Sequence, residues 1–190
     1  MSSSHVRAVA CGLALLASTA ASADASLSVA YQTYDVRASD GQTLGSALNM
    51  ATPIHEDGRP MHGHTTWHVA WHFTWRRAAD GSCAIETVHC DATAEVTLPH
   101  LQSSDPDTNA RFQTYLAALK VHEGGHVRIA ETAAQQADAA IRALPAAADC
   151  ASLTREANDA GRRILDRSRS DEVRYDQETQ HGKTQGAWIR

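Results

Sequence analysis

Two histidines and a glutamate in the run K-V-H-E-G-G-H-V-R-I-A, Lys120 to Ala130, have the types and spacing needed to hold a metal ion and activate water. His122 and His126 are four residues apart. On a helix of about 3.6 residues per turn, such positions lie only about 40° from one another, so both imidazoles point the same way. Neutral imidazoles hold zinc at roughly 2.0–2.1 Å, and a third protein ligand leaves one coordination position for water. Glu123, beside the first histidine, is placed to take a proton from that water and return it to a leaving amine, which makes it the candidate general base.

The pattern is short, so its setting matters. Phe112, Tyr115, Leu116, Leu119, Ala130, Ala133, Ala137, Ile141 and Leu144 form an apolar stripe at helical spacing that runs through His122 and His126. The histidines therefore face a core, where an imidazole without a partner is costly. Against the metal reading stand Arg128, at a position more often apolar in zinc-peptidase helices, and Gly124-Gly125, at about 1 kcal/mol each in a helix interior. Bare backbone there would let another element or a substrate come close.

The elements that must position this run follow in chain order. Residues 1–23 carry His5 and Arg7, an apolar run from Ala8 to Ala17, and Ala21-Ser22-Ala23 as a cleavage site, so they read as a secretory signal peptide. Cys11 precedes most of the apolar run, which argues against a lipoprotein cysteine. The run is too short for a bilayer anchor. The remaining single domain, 24–190, is predicted to be secreted or periplasmic. Its formal charge moves from −5 to −6 because the removed segment holds one Arg and no acid. A mildly acidic chain without a basic block gives no reason to expect nucleic acid.

Ser26 to Arg37 alternates as a strand, and Asp40-Gly41 marks a turn. Thr43 to Met50 reads as a short helix and His55 to Gly63 as loop. From His64 to Arg77, Trp67, Val69, Trp71, Phe73 and Trp75 take one strand face, with His64, His68 and His72 on the other. The histidine stripe is read as a solvated sheet face; the alternative is a metal-binding module. Asp80-Gly81 turns the chain into a second strand, Cys83 to Leu98, ending at Pro99. In zinc peptidases a strand beside the metal-binding helix commonly receives the substrate backbone by edge pairing, and the strand from His64 is the candidate here.

Asp105-Pro106 starts a long helix that runs to about Leu144, and Ser152 caps a second that continues toward Glu178. Their short connection makes them antiparallel neighbours. The predicted fold is α+β: a small antiparallel sheet, then two long antiparallel helices, with a zincin-like active-site helix. Cys83 and Cys90, some 23 Å apart along one strand at about 3.3 Å per residue, cannot pair. The expected disulfide is Cys83 to Cys150, tying sheet to interhelix loop and leaving Cys90 over.

Pairing the helices about residue 147 sets His126 opposite about Ser168 and His122 opposite about Glu172. Glu156 and Asp159 then fall about 18 Å from His126 at about 1.5 Å per residue, which rejects Glu156 as third ligand. Asp171, Glu172, Asp176 and His181 are better placed.

The run Y-D-Q-E-T-Q-H-G-K-T-Q-G-A-W, Tyr175 to Trp188, together with H-E-G-G-H, the T-W-x-x-x-W strand and the Leu98-Pro99 strand end, resembles the bacterial secreted Zn-dependent proteases first described as a domain of unknown function. The resemblance covers nearly all of the chain after residue 23. It implies an exported or periplasmic single-domain metallopeptidase whose helix pair carries the site. Within that run His181 is taken as third zinc ligand, since zinc accepts imidazole readily, with Asp176 holding the N–H of a ligand imidazole. Helix register alone favours Asp171 or Asp176, and the choice stays open in the sequence. Tyr175 is either an oxyanion donor or a core tyrosine packed on the first long helix. The expected function is zinc-dependent hydrolysis of peptide or protein substrates by Glu123 with zinc on His122, His126 and His181. The alternative is a non-catalytic, zinc-stabilised envelope or binding protein.

Overall fold

Alternation of period two carries three long strands, and helical periodicity carries the second half of the chain. The computed structural model describes residues 25–39 and 41–189. The signal peptide expected at 1–23 and the turn residue Asp40 lie outside the described residues. The order is β1 (Ala25–Arg37), α1 (Leu44–Ala51), β2 (Ile54–Glu56), β3 (Arg59–Met61), β4 (His64–Arg77), β5 (Cys83–Gln102), α2 (Pro106–Arg142), α3 (Cys150–Thr179) and a single 3-10 turn (Lys183–Gln185). This is the α+β plan expected, with the sheet first and two long helices after it.

The sheet has the order β1-β5-β4. Strands β4 and β5 form the antiparallel hairpin, with His64 opposite Thr97 and Arg77 opposite Cys83. Strand β1 instead runs parallel to β5, Ala25 beside Cys90 and Arg37 beside Gln102, so the sheet is mixed where an antiparallel one was expected. Parallel neighbours need a connection of a dozen or more residues, and the chain between β1 and β5 supplies it through α1, the short hairpin and β4. Nothing in the alternation of β1 encodes its direction. Strand β5 also runs on through Pro99. Strand β4 starts opposite Thr97, so beyond it one side of β5 has no strand partner among the described residues, which is where a residue without an N–H fits a sheet.

The segment expected as loop, 55–63, contains the small hairpin β2–β3, with Ile54 opposite Met61. Its turn is Asp57-Gly58, both at positive φ (50° and 75°), the backbone that a tight two-residue hairpin turn needs.

Helices α2 and α3 cover one face of the sheet. From β5, Val88, Cys90, Ala92, Ala94, Val96 and Leu98 point inward and are buried. Helix α2 buries Phe112, Tyr115, Leu119, Ala130, Ala133, Ala137 and Ile141, and α3 buries Leu153, Ala157, Ala160 and Ile164. Most of them belong to two clusters. One joins the alanine-rich half of α2 to α3 and the strands, and the other joins α1 to the first half of α2. His122 and His126 lie between Leu119 of one cluster and Ala130 of the other. His64, His68 and His72 are exposed, as a solvated face requires.

The caps fix where the helices start. Asp105 accepts from the Thr108 N–H (3.0 Å) at α2. Helix α3 begins earlier than its expected Ser152 cap, because Asp149 accepts from the Ser152 N–H (2.8 Å) and Ser152 is already inside the helix. The interhelix loop is held on the sheet twice. Cys83 exchanges backbone hydrogen bonds with Ala147 (3.0 and 2.9 Å) and forms the expected disulfide with Cys150, while Cys90 is free and buried.

One close contact joins the tryptophan stripe to α3. A methyl on Gly161 would come within 2.7 Å of the Trp71 ring, and the Trp71 indole is pinned by its N–H to Asn158 Oδ1 (3.0 Å). Gly161→Ala is therefore expected to destabilise the fold by about 1–3 kcal/mol. Thermal melting should show a fall of roughly 2–4 °C per kcal/mol.

Candidate metal centre

His122 and His126 sit one turn apart in the middle of α2, both buried, with ring centroids 5.0 Å apart. Their Nε2 atoms face one carboxylate oxygen: Asp176 Oδ1 lies 3.3 Å from His122 Nε2 and 3.1 Å from His126 Nε2. The outer nitrogens are tied back. His122 Nδ1 lies 3.2 Å from Gln185 Oε1 and 3.4 Å from the Thr179 hydroxyl oxygen, and His126 Nδ1 lies 3.3 Å from Glu172 Oε1. With the proton on Nδ1, each ring donates outward and turns its Nε2 lone pair toward the same point. The Glu172 oxygen is itself fixed, accepting from the Trp67 indole N–H.

Ligand atoms of His122, His126 and Asp176 all lie within 4.8 Å of one another, and among the described residues no other group of His, Cys, Asp and Glu is gathered this way. Two imidazoles and a carboxylate are a donor set that zinc accepts. The histidine stripe of β4 forms no such group.

His181, the expected third ligand, is outside this set. Helix α3 ends at Thr179, and Gln180, His181 and Gly182 all take positive φ (50°, 52° and 81°), reversing the chain. His181 is thereby carried off the helix onto the wall of the cleft, with Nδ1 3.8 Å from Asp176 Oδ1 and 3.9 Å from Glu56 Oε2. Asp176 stays in the helix four residues after Glu172 and shares its face toward α2. The outer nitrogen of a candidate ligand imidazole, expected to meet Asp176, meets Glu172 at His126 Nδ1. Asp171 is half-buried and paired with Arg174, and Glu156 is exposed in the far half of α3.

The helix register is displaced from the one expected. His126 meets Glu172 and Asp176, not Ser168, and His122 meets Asp176 and Thr179. Side chains lean toward the N-terminus of their own helix, so on antiparallel partners the two leans run in opposite directions. A residue of α2 leaning away from the loop therefore meets one whose Cα lies further along α3.

Tyr175 takes the packing role of its two readings. Its ring stacks on His122 (5.2 Å between centroids, 12° between planes) and meets His126 edge-on, and its hydroxyl donates to the His122 carbonyl oxygen (3.0 Å). A methyl at Gly125 would overlap that hydroxyl, whereas one at Gly124 meets only Arg128 Nη1 at 3.6 Å. The close approach expected at the glycine pair is thus made by Tyr175, at Gly125 alone.

Glu123 is buried and accepts a hydrogen bond on Oε2 from the Thr65 hydroxyl (2.7 Å). It lines an open cleft of about 650 Å³ together with His122, His126, Asp176 and His181, walled by the β2–β3 hairpin on one side and 187–189 on another. No local sequence signal marks Thr65 or Gln185 as site residues. Thr65 is 58 residues from Glu123 in the chain, and only the packing of β4 on α2 brings the two together.

Burial works against charge on His126, but the hydrogen bonds it donates to Asp176 and Glu172 and the nearby negative charge outweigh it and raise its pKa to about 9. Burial would raise Asp176, yet His122 and His126 hold it well below the usual carboxylate range. Without metal, the cluster stores a proton on His126 between two carboxylates.

Comparison with protein families matches residues 31–182 to the family described as "Bacterial protein of unknown function (DUF922)", and the chain belongs to that family. Comparisons with curated proteins and with solved structures gave no match.

Two outcomes follow from this geometry. Gly125→Ala should cost about 1–3 kcal/mol through the clash with Tyr175. Gly124→Ala should raise stability by up to about 1 kcal/mol, as Ala does over Gly in an unhindered helix; paired melting curves check both. The second concerns pH. The folded pKa of His126 is raised above its ordinary 6.5, so the stability it contributes is complete below about 6.5 and lost as pH rises through about 9. Metal-free protein should therefore melt at progressively lower temperature across that window, and His126→Gln should flatten the dependence.

Proposed function

We propose that this chain is an exported zinc metallopeptidase in which His122, His126 and Asp176 hold the metal and Glu123 is the general base. The observation that carries the reading is the convergence of two imidazoles and one carboxylate in an open cleft that Glu123 also lines. Bound zinc would polarise a water and the scissile carbonyl, lowering the pKa of that water toward about 7. Glu123 then takes the water proton as oxygen attacks the carbonyl carbon, and passes it to the amine as the C–N bond breaks. No covalent bond to the protein forms.

The sheet supports the same reading. In the order β1-β5-β4, β4 is an outer strand whose far edge has no partner strand among the described residues, and it starts at the cleft with His64 and Thr65. An extended peptide pairing along that edge would be led to the site. The expected export signal agrees with the disulfide, a bond of oxidising compartments. No helix among the described residues is long and apolar enough to cross a membrane.

A closed, structural zinc site is the second reading, favoured by His181 lying 3.8 Å from Asp176. A structural site uses four protein ligands and leaves no place for water. Zinc content of protein purified without chelator separates the two. His122→Ala and Asp176→Ala should each lose the expected one zinc per chain, and His181→Ala should keep it. Glu123→Gln should retain zinc and lose at least about 100-fold in peptide cleavage. A His181→Ala protein that loses zinc would turn the assignment to the structural site, and a Glu123→Gln protein that cleaves like wild type would overturn Glu123 as the general base.

A further inference from the structure

We infer that Thr65 is a positioning residue for Glu123, fixing its carboxylate with a hydroxyl hydrogen bond while the Gly63 backbone closes the other side. The inference rests on the reading of Glu123 as general base and names what holds that base in place.

A glutamate side chain has three rotatable bonds, and a base that must meet a water at hydrogen-bond distance gains from having them fixed. Glu123 is held from both sides by one short stretch of chain. Its Oε2 accepts from the Thr65 hydroxyl at 2.7 Å, and both residues are buried. On the other side Gly63 approaches so closely that a methyl there would overlap Glu123 Oε1 and come within 3.0 Å of its Cδ and of Leu119 Cδ1. The φ of Gly63 is not among the positive ones, so the glycine is needed for space and not for backbone conformation.

The stretch 62–65 is itself anchored to three elements. His62 Nδ1 lies 2.7 Å from the Tyr115 hydroxyl of α2 and its Nε2 lies 2.8 Å from Asn49 Oδ1 of α1. The Tyr34 hydroxyl of β1 donates to the His62 carbonyl oxygen (3.0 Å). Thr65 is then locked into the sheet opposite Val96. Tyr115, on the same helix as Glu123, ties the entry to β4 to the helix whose base it holds. Displacing a reacting group by about 1 Å costs on the order of 100-fold in rate, so this clamp bears on turnover more than on binding.

The test uses full-length mature protein loaded with zinc and a quenched-fluorescence peptide drawn from a library screen. Thr65→Val keeps the shape and removes the donor; kcat should fall roughly 10- to 100-fold with KM within about threefold and zinc content unchanged. Thr65→Ser restores the hydroxyl and should recover most of kcat. Gly63→Ala should lower kcat at least as much while keeping zinc. Equal kcat in Thr65→Val and wild type would overturn the clamp and leave the peptidase reading standing. So would a loss that Thr65→Ser does not recover. A melting double-mutant cycle of Thr65→Val with Glu123→Ala separates the remaining case. Coupling in that cycle, with no cleavage by zinc-loaded wild type of any library peptide, would sink the peptidase reading and reduce the clamp to a structural contact.

Discussion

Everything at the centre of this protein depends on the docking of the end of α3 against the middle of α2. Burying two imidazoles and a glutamate in a helix–sheet interface is unfavourable unless each polar atom is given a partner. Glu172 and Asp176, four residues apart on α3, supply those partners for His126, and Asp176, Thr179 and the Gln185 side chain supply them for His122. The same contacts fix which nitrogen of each ring points into the site. Packing and coordination chemistry are therefore set by one interface, and small residues on α2, above all Gly125 under Tyr175, let the helices approach closely enough to make it.

The sheet decides where along its length α3 meets α2. Cys83, at the start of β5, holds the interhelix loop by backbone pairing at Ala147 and by the disulfide to Cys150. With that end fixed at Cys150, the rise of α3 determines which residues arrive beside His122 about seven turns later. At the opposite end the left-handed residues Gln180, His181 and Gly182 stop α3 and fold the last segment back across the cleft. Gln185 is thereby brought behind His122, and His181 to the rim beside Asp176.

Strand β4 contributes in two directions. Its inward residues carry Trp67 to Glu172 and Thr65 to Glu123, so one strand supports a residue behind a candidate ligand and the candidate base itself. Its outward histidines serve neither and stay in solvent. The period of two, which was legible, separates these faces; it does not say which inward residue reaches which helical one.

The sequence by itself determined the local features. H-E-x-x-H within an apolar stripe placed His122, Glu123 and His126 on one buried helix, because helical periodicity is a property of the chain over a few turns. Alternation placed β4 and β5 and the turn between them, and cysteine spacing along a strand excluded a bond from Cys83 to Cys90. Only the tertiary structure decided the rest. The parallel pairing of β1, Asp176 in the set with His181 beside it, Glu172 behind His126 and Thr65 against Glu123 all join residues tens of positions apart. Such contacts are fixed by helix register, side-chain lean and strand direction. These arise when elements pack against each other, and no local pattern encodes them.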